Sequence, residues 1–276
     1  MKIKDLIDIG AKELRDIARR PKLEAEILLA HTLGQERVWL HMHYYDEIDP
    51  PEFYRCLELR KNYIPIEYIL GKVSFYSEEF LITEGVLIPR PETELLVDVS
   101  SNAIEENGFK QIVEIGTGSG IISVMLALKH PGLSITATDI NEKALDLAGK
   151  NAEKFGVAER ITFVHTSYLD GIDTPFDFLV SNPPYIANNF PLEPHLGFEP
   201  QNALFGGRVG DEMIKTIIDT VLERKILMMS IEMGYDQKEP IAAYFREKGI
   251  ESVEFYQDLA GLDRGFCADV RKKIGE

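Results

Sequence analysis

Residues 114–120 read Glu114-Ile115-Gly116-Thr117-Gly118-Ser119-Gly120, and this stretch decides the fold class. A short apolar strand pattern at 111–113 precedes it, and a helical run at 121–129 follows it. Glycines let the backbone turn sharply and approach a ligand, and the helix behind them offers free N–H groups at its N-terminus. A dinucleotide-binding G-x-G-x-x-G turn would need glycine at position 121, which is isoleucine. The stretch therefore predicts a ligand-binding strand, turn and helix with a different glycine spacing.

A second strand pattern lies downstream, at residues 134–138. It ends in Asp139, which comes 23 residues after Gly116. A carboxylate at this place can accept hydrogen bonds from the two hydroxyls of a ribose. A glycine-rich turn alone is weak evidence. Strand, glycine turn, helix, strand and acid in this order favour a nucleotide-binding α/β domain.

The segment Ser181-Asn182-Pro183-Pro184-Tyr185 follows a buried apolar run at 176–180. Two consecutive prolines cannot continue a sheet ladder, and Pro183 moves Asn182 away from helical geometry, so the strand ends here. The turn leaves an amide side chain, unpaired main-chain carbonyls and the Tyr185 ring at the end of the strand where open α/β sheets bind ligands. An ordinary strand-ending turn explains these residues about equally well. The glycine turn upstream favours a functional site.

Composition restricts the class of partner. The chain has 276 residues, which suits one large domain or two modest ones, and its net charge is −16. Residues 73–276 have 18 basic and 33 acidic side chains, against 12 and 13 in residues 1–72. An acidic catalytic half repels a phosphate backbone, so we expect no stable nucleic-acid binding.

The amino-terminal residues and the cysteines indicate the compartment. Residues 1–5 are charged and amphipathic, with no apolar signal region, and no run in the chain approaches the length of a membrane span. Cys56 and Cys267 are far apart and have no partner motif, which is typical of free thiols in a reducing compartment. We expect a cytoplasmic protein without membrane association.

The chain divides into three predicted segments. Residues 1–71 show helical periodicity in four or five short pieces, residues 72–86 alternate as a β-hairpin linker, and residues 87–276 repeat strand and helix. His41 and His43 lack the further Cys or carboxylate spacing of a metal site, so no metal is predicted.

Several elements of residues 87–276 are also predicted. Pro91 suits the first turn of a helix that continues to Gly108, but this helix leaves Arg90 unexplained. Residues 188–204 show no period and predict a loop over the active site. The remaining strands are predicted at the following ranges, the last two as an antiparallel edge hairpin: 161–164, 226–232, 250–256 and 265–270.

With these motifs the sequence resembles the class I S-adenosylmethionine-dependent methyltransferases. More closely, it resembles the release factor glutamine methyltransferase family, also called HemK or PrmC. Residues 89–94, Pro-Arg-Pro-Glu-Thr-Glu, separate this family from other enzymes that have an Asn-Pro-Pro-Tyr turn. The resemblance runs through nearly the whole chain and rests on these segments: 65–71, 87–94, 114–120, 182–185, 198–200 and 258–261.

The resemblance implies a fold and an activity. The fold is α/β, a seven-stranded, mostly parallel, doubly wound sheet behind a small helical N-terminal domain, residues 1–71, that docks the protein substrate. The activity is transfer of a methyl group from S-adenosylmethionine to the side-chain nitrogen, N5, of the glutamine in a Gly-Gly-Gln segment of peptide chain release factors. S-adenosylhomocysteine is the product, and no metal takes part.

The resemblance also implies roles for named residues. Cofactor contacts fall on Gly116, Thr117, Gly118, Ser119 and Gly120 for the methionine and ribose, Asp139 for the ribose hydroxyls, Tyr168 for the adenine, and Asn182. Asn182, Pro183 and Tyr185 are the catalytic residues, and Asn182, Pro183, Pro184 and Tyr185 bind the substrate. Ser167 stands where the family usually has an acid that bonds the adenine amino group, so the resemblance carries over the ring contact of Tyr168 and leaves that hydrogen bond open.

Two alternatives remain open. Adenine-N6 and guanine-N2 nucleic-acid methyltransferases share the Asn-Pro-Pro-Tyr turn. A catalytically silent protein could instead bind the cofactor and act through its N-terminal domain. Transfer of labelled methyl groups to release factor, to nucleic acid or to neither separates the three possibilities.

Overall fold

The computed structural model describes residues 1–275, and the chain divides into two compact units. The first consists of Met1–Lys72 with Glu193–Phe198, and the second of Val73–Leu192 with the residues from Glu199 onward. No helix within residues 1–275 is long and apolar enough to cross a lipid bilayer.

The first unit is helical. Proline is the first residue of two of its helices, where a missing N–H costs nothing. The unit has its own core, in which Leu6, Leu28 and Phe53 are fully buried. A Cβ on Gly10 would lie 2.8 Å from the Ala25 Cβ, so glycine lets two helices approach closely. Its five helices are α1 (Ile3–Glu13), α2 (Pro21–Thr32), α3 (Arg37–Met42), α4 (Pro51–Lys61) and α5 (Ile66–Leu70).

A two-stranded hairpin follows α5 in the chain, with β1 (Lys72–Phe75) and β2 (Glu78–Leu81). Its turn places Tyr76 and Ser77 at φ 51° and 60°, the left-handed geometry that tight hairpins need. Phe75 and Phe80 are buried from this hairpin. The hairpin lies where the alternating pattern predicted it.

The elements that follow form one large sheet with helices and a small two-stranded sheet. Two short 3₁₀ helices, Pro194–Phe198 and Gln201–Ala203, interrupt the segment that was predicted as loop. The other elements, in chain order, are α6 (Thr93–Asn107), β3 (Gln111–Ile115), α7 (Ile121–Lys129), β4 (Ser134–Asp139), α8 (Glu142–Lys154), β5 (Ile161–His165), β6 (Phe178–Ser181), β7 (Ile186–Ala187), β8 (Phe205–Gly207), α9 (Glu212–Glu223), β9 (Met228–Glu232), α10 (Lys238–Lys248), β10 (Ser252–Gln257), β11 (Asp263–Asp269) and α11 (Arg271–Ile274).

The large sheet has seven strands in the order β10-β11-β9-β6-β3-β4-β5. Strands β5, β4, β3, β6 and β9 are parallel, and β11 is antiparallel to both of its neighbours. The predicted seven-stranded, mostly parallel sheet with an antiparallel edge hairpin is therefore confirmed.

Each face of this sheet has its own core. Successive strand side chains point to opposite faces, so Ile112 packs with α6 and α7 while Val113 packs with α9 and α10. Residues Ile121–Ala127 of helix α7 are all buried, and all of them except Ser123 are apolar. The sheet is covered on both faces, which is the doubly wound arrangement.

The start of α6 differs slightly from its prediction. The helix begins at Thr93, two residues after Pro91, because residues 91 and 92 form a turn ahead of it. Its end is as predicted, since Gly108 takes the left-handed cap geometry at φ 68°. The offset brings Thr93, rather than proline, to the first turn.

Candidate active site

A cleft opens at the carboxyl ends of the parallel strands. Open α/β sheets bind ligands at this location. The cleft lies within the second unit and is lined by residues that include Gly116 and Gly118 after β3, Asp139 and Asn141 at and after β4, Ser167 and Tyr168 after β5, and Asn182 and Pro184 after β6.

The glycine turn between β3 and α7 has the left-handed geometry that its composition indicates. Gly116, Gly118 and Gly120 have φ values of 74°, 55° and 80°. A Cβ on Gly116 or Gly118 would meet no atom within 4 Å, which leaves room for a ligand against the backbone. A Cβ on Gly120 would lie 2.8 Å from the Ala148 Cβ, so this glycine lets α8 pack closely.

The five predicted cofactor residues of this turn have two different positions. Gly116 and Gly118 line the cleft. Thr117 and Ser119 are 3% exposed and, like Gly120, are not among the lining residues. The Thr117 hydroxyl donates to Glu114 Oε2 at 2.8 Å, and the Ser119 carbonyl accepts from Asn151 at 2.8 Å. These buried residues hold the shape of the turn.

Glu114 is the buried anchor of the glycine turn. Its Oε2 accepts hydrogen bonds from Thr117 Oγ1, from the Ser123 main-chain N–H at 3.1 Å and from the Ser123 hydroxyl, while Oε1 has no partner in residues 1–275. Burial raises the pKa of this carboxyl to about 7, although the three hydrogen bonds lower it. The turn therefore contains a carboxyl that changes charge near neutral pH.

Asp139, predicted to bind a ribose, lines the cleft at the end of β4. Its Oδ2 accepts from the Gly118 N–H and its Oδ1 from the Asn141 N–H, both at 2.9 Å. Burial raises its pKa, and these main-chain donors oppose the shift. A carboxylate offers about four lone-pair sites, so Asp139 can hold the glycine turn and still accept from a ligand hydroxyl.

The cleft wall after β5 is formed by Ser167 and Tyr168. Ser167 is exposed, and Tyr168 is partly buried with its backbone at φ 47°, an uncommon left-handed position for an aromatic residue. This backbone conformation turns the chain so that the residue predicted to contact an adenine lines the cleft.

The Asn-Pro-Pro-Tyr turn lies at the end of β6. Ser181 donates its hydroxyl to the Ile115 carbonyl at 2.7 Å, which ties the turn to the strand before the glycine turn. Gln237 Nε2 donates to the Tyr185 carbonyl at 2.9 Å. Asn182 and Pro184 line the cleft, whereas Pro183 is buried and Tyr185 is not among the lining residues. These two hydrogen bonds fix the turn at its first residue, Ser181, and at its last residue, Tyr185.

Two partners behind this turn could not be found from the sequence. Asn182 Nδ2 donates to Thr93 Oγ1 at 3.2 Å, and the Tyr185 hydroxyl lies 3.4 Å from Glu232 Oε1. Burial raises the pKa of Glu232 to about 7 and raises that of Tyr185, so the phenol stays neutral. Thr93 is part of the Pro-Arg-Pro-Glu-Thr-Glu segment, which is thereby linked to the turn.

Arg90, which the helix prediction left unexplained, pairs with a buried carboxylate. Its guanidinium lies 2.7 Å from Glu199 Oε1, and Glu199 Oε2 accepts from the Ile88 N–H at 2.9 Å. The Glu199 side chain is fully buried. Because an unpaired charge at this depth would be costly, Arg90 stabilises the loop that begins at Glu199. The neighbouring Pro200, on the same loop, lines the cleft.

A metal site was not predicted for this chain. Within the part of the chain that the structure describes, no three His, Cys, Asp or Glu side chains are grouped so that they could hold a metal ion.

Family models and solved structures give the class of the protein. The model described as methyltransferase small domain matches residues 91–191, and the one described as PrmC N-terminal domain matches residues 5–71. The fold is similar to the hMettl16 catalytic domain solved in complex with MAT2A 3′UTR hairpin 6, with a TM-score of 0.57 at 18% identity over 79% of this chain and 80% of that one. The protein is a methyltransferase with the class I α/β fold.

Curated relatives identify the family. The chain is 38% identical to the release factor glutamine methyltransferase of Neisseria gonorrhoeae, over 90% of this chain and 93% of the relative. It is 36% identical to that of Bacillus subtilis, over 92% and 93%. It belongs to the release factor glutamine methyltransferase family. The chain is also 33% identical to the bifunctional methyltransferase of Rickettsia conorii, but 95% of this chain spans only 56% of that relative.

Proposed function

We propose that this protein transfers a methyl group from S-adenosylmethionine to the side-chain amide nitrogen, N5, of the glutamine in the Gly-Gly-Gln segment of peptide chain release factors. The observation that supports this most is the position of Asn182. It heads a rigid Asn-Pro-Pro-Tyr turn and lines the same cleft as Gly116, Gly118 and Asp139. A methyl-accepting amide and an adenosyl group could therefore meet in one cleft.

The residues of the cleft fit S-adenosylmethionine. Gly116 and Gly118 leave open space against the main chain, and Asp139 has lone pairs left for the ribose hydroxyls. Tyr168 provides an aromatic wall, and Ser167 provides a small hydroxyl in place of an acid. When bound, the cofactor supplies an electrophilic methyl group on a sulfonium. The residues of this chain orient it and exclude water from it.

Asn182 and Pro183 orient the substrate amide, which is a weak nucleophile. The lone pair of an amide nitrogen is delocalised into its carbonyl, and a general base would help little because an amide loses a proton only at very high pH. Two fixed acceptors can instead hold both N–H groups and direct the lone pair at the methyl group. The Asn182 side-chain oxygen and the Pro183 main-chain carbonyl are those acceptors. After transfer the nitrogen is strongly acidic, so its proton leaves without a dedicated base.

Tyr185 and Pro184 complete the substrate site. Pro184 stiffens the turn. A Cβ on Gly206 would clash with the Pro184 carbonyl oxygen, so the absence of a side chain lets the backbone of residue 206 pack directly against the turn. Tyr185, which follows the cleft-lining Pro184, is proposed to pack on the plane of the substrate amide. Because its pKa is raised, it remains an uncharged phenol in this role.

Residues 1–71 are proposed to dock the release factor, and residues 72–86 to link them to the methyltransferase domain, 87–276. A cytoplasmic location follows from this substrate, because release factors act on ribosomes. The net charge of −16 supports a protein substrate over a nucleic acid, since it repels phosphate.

A methyl-transfer assay tests this proposal. Purified enzyme with labelled S-adenosylmethionine is mixed with release factor, with a release factor whose Gly-Gly-Gln glutamine is replaced by alanine, or with DNA and RNA. Label is expected on the unaltered release factor alone. Label on nucleic acid would favour the adenine-N6 or guanine-N2 alternative. Cofactor binding without transfer to any of them would favour a silent protein.

A further inference from the structure

Two segments outside the large sheet line the cleft in addition to the strand ends described above. We call these two stretches, residues 85–90 and residues 199–204, the rim segments. Their cleft-lining residues are Val86, Leu87, Pro200, Asn202 and Ala203. The two segments are more than 100 positions apart in the chain. Contacts made in the folded protein must therefore hold them beside each other.

Each rim segment is anchored at one end to a part of the cleft that the proposed reaction uses. The Gly85 carbonyl accepts from Asn141 Nδ2 at 2.9 Å, and Asn141 comes two residues after Asp139. The Leu204 carbonyl accepts from the Ile186 N–H at 3.0 Å, directly after the Asn-Pro-Pro-Tyr turn. The first rim segment thus starts beside the proposed ribose acceptor, and the second ends beside the proposed site of methyl transfer.

Glu199 joins the two rim segments at their other ends. Its Oε2 accepts from the Ile88 N–H at 2.9 Å, and its Oε1 accepts from Arg90 Nη2 at 2.7 Å. The Glu199 side chain is fully buried, whereas that of Arg90 is partly exposed. Prolines precede and follow Arg90 and follow Glu199, so the backbone on both sides of the contact is stiff. One carboxylate therefore completes a continuous series of contacts from the end of β4 to the Asn-Pro-Pro-Tyr turn.

The contact made by Glu199 depends on Arg90. A buried carboxylate that loses its partner charge is strongly destabilised, because it has given up its water. The Ile88 N–H replaces only part of that hydration. Without Arg90, Glu199 gains by turning towards solvent, and residues 200–204 then leave the cleft with it. Arg90 thus keeps the rim segments together.

We propose that Arg90 and Glu199 are positioning residues for the cofactor, which hold the two rim segments in their binding conformation before S-adenosylmethionine enters. The proposal deepens the function proposed above and takes from it the ligand of this cleft. A protein whose binding conformation is only partly populated binds its ligand more weakly in proportion to that population. The ion pair therefore raises cofactor affinity, and it plays no part in methyl transfer once the cofactor is bound.

Arg90→Met keeps most of the side-chain length and removes the charge. The dissociation constant of S-adenosylhomocysteine, measured by titration calorimetry, should increase on the order of 10–100-fold, as for a lost hydrogen bond to a charged group. At saturating S-adenosylmethionine, the single-turnover rate on release factor should stay within about threefold of the wild-type rate, because bound cofactor restores the rim segments. Arg90→Lys keeps a positive charge beside Glu199 and should bind more like the wild type than like Arg90→Met.

A double variant separates the ion pair from a general loss of packing. Arg90→Met with Glu199→Gln leaves no buried charge unpaired, and the new amide oxygen can still accept from the Ile88 N–H. This protein should bind S-adenosylhomocysteine more tightly than Arg90→Met alone. Equal or weaker binding would contradict the role of the charge. Arg271→Met is the matched control and should bind like the wild type, because Arg271 pairs with Asp269 at 2.6 Å and is not among the residues that line the cleft.

Amide hydrogen exchange tests the rim segments without any methyl transfer. The Ile88 N–H donates to Glu199, so it should exchange faster in ligand-free Arg90→Met than in ligand-free wild type and slow again at saturating S-adenosylhomocysteine. The Val113 N–H, in the central strand β3, should keep its protection in both proteins.

Three results would overturn the inference: unchanged exchange at Ile88 in Arg90→Met, an equal loss of protection at Val113, or wild-type affinity for S-adenosylhomocysteine in Arg90→Met. Failure of the wild-type enzyme to methylate any release factor would instead overturn the proposed function. The S-adenosylhomocysteine affinities and the exchange at Ile88 would still test the rim segments in that case.

Discussion

Asp139 is the residue whose replacement tests the cofactor site most clearly, because it has two roles. Its carboxylate accepts the Gly118 and Asn141 N–H groups at 2.9 Å each and also faces the cleft. Asp139→Ala removes a charged acceptor from the ribose hydroxyls. Losing a hydrogen bond to a charged group costs about 1.5–3 kcal/mol, so the dissociation constant of S-adenosylhomocysteine should increase roughly 10–150-fold.

The same substitution also releases the Gly118 N–H, and a looser glycine turn could weaken binding without any ribose contact. Titration calorimetry with S-adenosylhomocysteine and with its 2′-deoxy analogue separates the two effects. Wild-type protein should bind the deoxy analogue less tightly, and Asp139→Ala should discriminate far less between the two ligands. Equal discrimination by the two proteins would refute the ribose contact and leave Asp139 as a support of the turn.

Three further predictions concern catalysis, docking and pH. Asn182→Ala should lower kcat on the order of 10²–10³-fold with a smaller loss of cofactor affinity, measured by single-turnover methylation; near-normal transfer would make Asn182 only a turn residue. Deleting residues 1–71 should leave cofactor binding intact and greatly reduce kcat/KM on intact release factor, and equal activity would contradict the docking role. Glu114 has a pKa raised to about 7, so its folded form binds more protons than its unfolded form between about pH 4.5 and 7, and the free energy of unfolding falls as pH rises through this window. Glu114→Gln should flatten that fall in denaturant titrations at several pH values, and an unchanged slope would mean that Glu114 does not cause it.

The fold followed from local sequence signals. The short patterns at 111–113 and 134–138 predicted strands, and the observed strands Gln111–Ile115 and Ser134–Asp139 agree. The glycines permit a sharp turn after β3, and the two prolines of 183–184 end the strand before them. These signals act over a few residues, which is why the sequence reveals them.

The groups that support the site could not be predicted in the same way. Glu199 is 111 positions from Ile88, and Thr93 is 89 positions from Asn182, so only the folded chain brings these pairs together. Glu232 reads as the last residue of a strand, and nothing in its neighbours shows that it is buried behind Tyr185. Thr117 and Ser119 were predicted as cofactor contacts from the family resemblance of residues 116–120. Both residues are buried: the Thr117 hydroxyl donates to Glu114, and the Ser119 main-chain carbonyl accepts from Asn151.

Mass spectrometry of a methylated release factor is the most direct test of the proposed activity. Purified release factor, incubated with this enzyme and S-adenosylmethionine, is digested, and the peptide that contains the Gly-Gly-Gln segment is fragmented. A mass increase of one methylene on the glutamine, with the methyl group on its side-chain nitrogen, is the expected result. This mass increase should be absent when the Asn182→Ala enzyme is incubated with the release factor for an equal, short reaction time. A methyl group on any other residue would contradict the proposed function. So would the absence of a methyl group on this peptide when the enzyme is saturated with S-adenosylmethionine and release factor.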